Sequence, residues 1–132
     1  MRVVIDTNVL VSGILKQHGA EASVLNLIVD ATLTWCVSQA VLDEYRDVLR
    51  RPKFDFTPEL VERWLDFAAQ GVMVTPRERV SFSPDDDDNR LLECAAAAGA
   101  AFLVTGNKAH FPSEWQKTKI VNARNLLQFL KK

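Results

Sequence analysis

Apolar residues along this chain follow two rhythms. Short runs at Arg2 to Ile5, Leu33 to Val37, Val72 to Thr75, Ala101 to Val104 and Ile120 to Val121 leave little room for polar alternation, and predict strands covered on both faces. Between them the apolar positions recur at three- and four-residue steps. Val9, Leu10, Ser12 and Gly13 read as a short helical turn, and Ala22, Leu25, Ile28 and Val29 as a helix of about ten residues. Leu42, Tyr45 and Leu49 share a stripe on a helix over 39–51, capped by Ser38 and stopped by Pro52. A further helix runs from Thr57 to Gly71 with Pro58 at its first position. Pro76 to Asp86 is a polar outer loop. Asp87 to Ala98 turns Leu91, Leu92, Ala95 and Ala98 inward before Gly99, and Asn125 to Leu130 closes the chain with a basic tail. Alternating strands and helices predict an α/β fold, three layers α/β/α around a central parallel sheet of four to five strands. At 132 residues, without a repeat or linker, the expectation is a single domain, 1–132.

Composition narrows the class without naming the chemistry. With 48% apolar and 25% charged residues the chain is neither disordered nor a membrane protein by composition. The net charge of -1 gives no sign of nucleic-acid binding, so any such role has to come from local patches. Cys36 and Cys94 stand unpatterned in apolar settings, as buried free thiols of a reducing compartment and not as a disulfide or zinc frame. Five residues before Asp6 are too few for a signal-peptide core and no apolar run reaches membrane length, so a cytoplasmic protein without membrane contact is expected.

Four positions carry candidate chemistry. Asp6 ends the first strand at the carboxyl edge of the sheet, where ligands of open α/β sheets bind; its other reading is a cap for the turn that follows. Glu44 lies three residues after Val41 and four before Val48, at the margin of its helix's buried face. There it needs either a basic partner, such as Arg46 or Lys53, or a ligand. In the run Asp85-Asp86-Asp87-Asp88-Asn89 the helix dipole accounts for one or two acids. Asp88 turns inward with Leu91 and Leu92, Asp87 follows it, Asp85 reads as the cap and Asp86 as solvated. Asn107 follows the fourth strand; it is either a turn residue or, if strands one and four are neighbours, a companion of Asp6. His18 and His110 read as loop residues, and Trp35 and Trp64 as core.

Taken together, Asp-Thr-Asn-Val-Leu-Val-Ser after strand one, Val-Leu-Asp-Glu-Tyr-Arg-Asp-Val-Leu, Asp-Asp-Asn-Arg-Leu-Leu-Glu-Cys-Ala and Leu-Val-Thr-Gly-Asn-Lys resemble a PIN domain. Among PIN domains they are similar to the small prokaryotic proteins described as toxins of toxin-antitoxin systems. The resemblance covers nearly the whole chain in the family order. It implies a fold related to the flap endonucleases and a metal-dependent endoribonuclease in which acidic residues hold Mg2+ or Mn2+ while water cleaves a phosphodiester.

Carried over by position, the resemblance implies Asp6, Glu44 and Asp88 as catalytic and metal-binding residues. Asn107 stands where the family usually has an aspartate, and Thr7, Asn8, Asp87 and Thr105 are supporting polar residues. Asn107 removes one full negative charge from such a site. The residue types agree with the chemistry: magnesium takes oxygen ligands and keeps several waters, and two such ions can activate water and stabilise a leaving oxygen. Lys16, Arg46, Arg50, Arg90 and Lys108 lie close in sequence to these positions and are candidates for substrate phosphates. Expected partners are RNA, an antitoxin protein covering the acidic pocket and a second copy in a homodimer. The alternative keeps the fold without the reaction, as a catalytically weakened RNA-binding or protein-interaction module. A phosphatase with Asp6 as nucleophile is disfavoured, since Asn8 stands where a proton-donating acid is needed.

Overall fold

The computed structural model of the chain describes residues 1–131, so Lys132, the end of the expected basic tail, lies outside them. Val3, Val4 and Ile5 are consecutive and fully buried. Adjacent strand residues point to opposite faces, so both faces of the sheet are covered there. This strand, β1 (Arg2–Ile5), lies at the centre of a six-stranded sheet. Its companions are β2 (Thr34–Val37), β3 (Val72–Met73), β4 (Phe102–Val104), β5 (Glu114–Trp115) and β6 (Thr118–Val121), in the order β3-β2-β1-β4-β6-β5. All neighbours run parallel except β5, which pairs antiparallel to β6 through Trp115 and Thr118. Six helices complete a three-layer α/β/α fold: α1 (Thr7–Leu15), α2 (Ala20–Val29), α3 (Gln39–Leu49), α4 (Pro58–Ala69), α5 (Asp86–Ala98) and α6 (Ala123–Leu130).

The predicted helix signals act as expected at most ends. Ser38 and Thr57 accept hydrogen bonds from the backbone N–H of Val41 and Leu60, while Asn122, a cap not expected from the sequence, accepts from that of Asn125, so that α6 begins at Ala123 and not at Asn125. Gly99 ends α5 at φ 57°, a left-handed conformation open to glycine at no steric cost. Gly71, after α4, lies so close to β2 that a Cβ would stand 2.2 Å from the Trp35 carbonyl oxygen.

Four expectations are corrected. The sheet has six strands and not four to five, because Glu114–Trp115 adds an edge strand and β3 shrinks to two residues. The turn after Asp6 extends into a nine-residue helix, α1. Val29 is exposed, whereas Ala22, Leu25 and Ile28 are buried. The loop over 76–85 is not wholly external, since Val80 is buried and its N–H donates to Glu93 Oε2 at 2.8 Å.

The core joins β1 and α3 directly. Tyr45 Oη accepts from Trp35 Nε1 at 3.2 Å and donates to the Ile5 carbonyl, while the Trp35 and Tyr45 rings pack with centroids 5.7 Å apart. Trp35 is buried and Trp64 packs partly against it; each large side chain of this kind contributes about 1.5–3 kcal/mol when fully buried. Cys36 and Cys94 are buried free thiols, as expected.

Candidate active site

The parallel pairing of Ile5 with Val104 makes β1 and β4 end side by side, so Asp6 and Thr105 leave the same edge of the sheet. The Asp6 N–H donates to the Val104 carbonyl at 2.9 Å. Although Asp6 holds the N-cap position of α1, its side chain makes no cap hydrogen bond. Its Oδ2 accepts instead from Thr105 Oγ1 at 2.8 Å, and Thr105 Oγ1 accepts from the Asn107 N–H at 3.0 Å. Asn8 Oδ1 accepts from the Gly106 N–H at 3.1 Å, a second stitch between the two strand ends. Asp6 is only 8% exposed. Burial raises its pKa above the ordinary carboxylate value and the nearby Asp88 charge adds to this, while the Thr105 hydroxyl opposes it.

Glu44 comes to this edge from α3, half-buried. No basic side chain forms an ion pair with it among the described residues: Arg46 reaches Asp43 at 4.0 Å, Arg50 pairs with Glu62 at 2.9 Å, and Arg51 with Asp47 at 3.4 Å. The Glu44 carboxyl is pushed up to about 7, first by burial and then by the Asp87 carboxylate.

The N-terminus of α5 supplies the remaining acids. Asp85 is the cap and accepts from the Asp87 N–H at 2.9 Å. Asp86 and Asp87 are exposed, whereas Asp88 is 7% exposed and accepts from Ser83 Oγ at 3.1 Å. Burial raises the Asp88 pKa and the Ser83 hydroxyl opposes it. Asn89 fixes the preceding loop by a two-way bond to Ser83, accepting from its N–H and donating to its carbonyl, each at 2.8 Å. Ser83 is thereby held where its hydroxyl meets Asp88.

These elements enclose one cavity of about 380 Å³. It brings together Asp6, Glu44, Asp87, Asp88 and Asn107 with Thr7 and Asn8, and Thr105 supports Asp6 from behind. The capping Asp85 also lines it. The phosphate candidates Lys16, Arg46, Arg50, Arg90 and Lys108 do not line it. Arg90 is engaged by Glu93 at 2.9 Å and by the Val80 carbonyl, and Lys108 donates to Asn125. Arg46 and Arg50 are likewise paired with Asp43 and Glu62.

Three further basic residues line the cavity beyond those given a role at the site. His110 is exposed, not merely a loop residue, and places Nδ1 3.6 Å from Asp88 Oδ2, an ion pair when the imidazole is protonated. Arg51 and Lys53 line the cavity from the turn after α3. The sequence places Lys53 near Glu44 as a candidate basic partner, and Pro52 marks where α3 must yield to a tight turn.

The donor set suits a hard divalent cation in type and charge. The lining acids, Thr7, Asn8, Ser12 and Asn107 offer oxygen, and five lining carboxylates face only two lining Lys or Arg residues among the described residues. Among the described residues no three His, Cys, Asp or Glu side chains close into a ligand cage. Magnesium does not require one, since it retains several waters and uses one or two carboxylates beside substrate phosphates.

A family model described as PIN domain matches residues 2–109, which includes every acid of the cavity. An uncharacterized protein of Methanocaldococcus jannaschii is similar at 26% identity over 112 residues, 82% of this chain and 72% of that protein. No helix among the described residues is long and apolar enough to cross a membrane.

Proposed function

Because this chain belongs to the PIN domain family, whose fold is of nuclease type, we propose that it is a Mg2+- or Mn2+-dependent endoribonuclease, the toxin of a toxin-antitoxin pair. One observation carries the reading: among the described residues, Asp6, Glu44, Asp87 and Asp88, drawn from three separate elements, share one cavity without a Lys or Arg ion pair on any of them. Such crowding of like charge costs free energy in the absence of a counter-cation.

In this reading Asp6 and Asp88 hold the cation, Glu44 holds it directly or through water, and the Asn107 amide oxygen accepts from its water shell. The bound ion supplies activation of water and neutralisation of the phosphodiester charge. Thr105 orients Asp6 and Ser83 orients Asp88 through their hydroxyls, so both carboxylates are presented in fixed rotamers. Until a cation arrives, the Glu44 carboxyl keeps its proton to about 7, which limits repulsion with Asp87.

A second reading has its own support in Asn107, which brings no charge to the cavity: the fold then binds RNA or a protein partner without cleaving. Incubation of single-stranded RNA with the protein and Mn2+, beside a metal titration followed by Trp fluorescence, separates them. The nuclease reading expects cleavage that stops with EDTA and in Asp6→Asn. Tight RNA binding without metal-dependent cleavage would overturn it in favour of the second.

A further inference from the structure

Five carboxylates line the cavity, and a nucleic-acid strand is itself a polyanion, so its phosphates need cations before it can lie over such a floor. Among the described residues, Arg51 and Lys53 are the Lys and Arg side chains that line it. Both belong to the segment where Pro52 ends α3 and opens a single tight turn, Pro52–Phe54, closed by Asp55 at φ 55°. The left-handed Asp55 lets Phe54 and Phe56 stack on each other, with centroids 5.6 Å apart and planes 15° apart, and both pack partly against the core. Lys53 Nζ lies 5.0 Å from the Phe54 ring centroid, which narrows the range of an otherwise flexible chain. Among the described residues Arg51 is paired only with Asp47, at 3.4 Å and with both side chains about half exposed or more, a weak surface contact that a phosphate can replace.

We propose that Arg51 and Lys53, mounted on the Phe54 turn, form a phosphate clamp that holds one strand of an oligonucleotide over the acidic floor. The inference rests on the nuclease reading and deepens it. A merely compensating role is the competing account, since the Arg51 charge also lowers the Glu44 pKa. Compensation acts through Glu44 and predicts that the effect of losing Arg51 disappears in a Glu44→Gln background, whereas a direct phosphate contact to a single strand contributes about 0.7 to the salt slope in either background.

The test is binding of a fluorescein-labelled oligouridylate of about twelve nucleotides, read by anisotropy in EDTA from about 20 to about 200 mM salt. The clamp predicts that Arg51→Gln with Lys53→Gln weakens binding about tenfold or more at low salt and lowers the slope by about 1.4, each single variant by about 0.7. Arg63→Gln, which removes an exposed charge on α4 outside this cavity, keeps the wild-type slope. An unchanged slope in the double variant, or no binding by the wild type, overturns the clamp. Metal-dependent cleavage beside an unchanged slope defeats the clamp alone; a lowered slope without cleavage under any divalent ion defeats the nuclease reading alone.

Discussion

Thr105 and Asp6 are 99 positions apart and joined by one hydrogen bond of 2.8 Å, from the threonine hydroxyl to the aspartate Oδ2. The same hydroxyl accepts the Asn107 N–H, so a single buried oxygen orients an acid on β1 and the turn after β4. Thr105→Val leaves the Asn107 N–H and the Asp6 carboxylate without this partner. The expected loss is about 1–3 kcal/mol in urea unfolding, with weaker Mn2+ binding, and Thr105→Ser restores most of both.

Asp88→Asn separates a catalytic role from a structural one. The amide still accepts from Ser83 and removes a desolvated charge beside Asp85 and Asp87. RNA cleavage is expected to fall about a hundredfold or more, while the melting temperature in EDTA is unchanged or rises. A large drop in melting temperature would mark Asp88 as structural.

Asn107→Asp adds the charge that the cavity lacks at that position. One more carboxylate near a divalent ion, in a partly solvated site, is expected to tighten Mn2+ binding about tenfold, or about 1.4 kcal/mol, by calorimetric titration. An unchanged affinity would show that this side chain takes no part in holding metal.

The pH dependence of the metal-free protein follows from the three raised carboxyls, Asp6, Glu44 and Asp88. A carboxyl whose folded pKa exceeds its unfolded value stabilises fully below the unfolded pKa, and that contribution is lost as pH rises through the folded pKa. For Glu44 the window runs from 4.5 to about 7. Melting temperature in EDTA is therefore expected to decline across that window, less steeply in Glu44→Gln, and Mn2+ is expected to reverse the decline. A melting temperature that rises with pH there would contradict the crowding of these acids.

The sequence carried the sheet and the acids because both depend on local pattern. A β-branched run ended by Asp6, and an inward position for Asp88 set by Leu91 and Leu92, follow from periodicity alone, and the parallel neighbourhood of β1 and β4 then brought Asn107 to the same cavity. What failed depends on tertiary partners. β5 is two residues long and turns into β6 at Gln116 with φ 52°, without the glycine or asparagine that signals a hairpin. Val80 is buried with its N–H on Glu93, and Arg90 is bound to that same glutamate and lies outside the cavity lining.

Tyr45 immediately follows Glu44, Ile5 immediately precedes Asp6, and the phenol of the first is bonded to the carbonyl of the second. The spacing of two cavity acids is thus tied to the hydrophobic interior, through the packing around Trp35. Substitutions that shift those interior residues are therefore expected to move Asp6 against Glu44 without altering any side chain that lines the cavity.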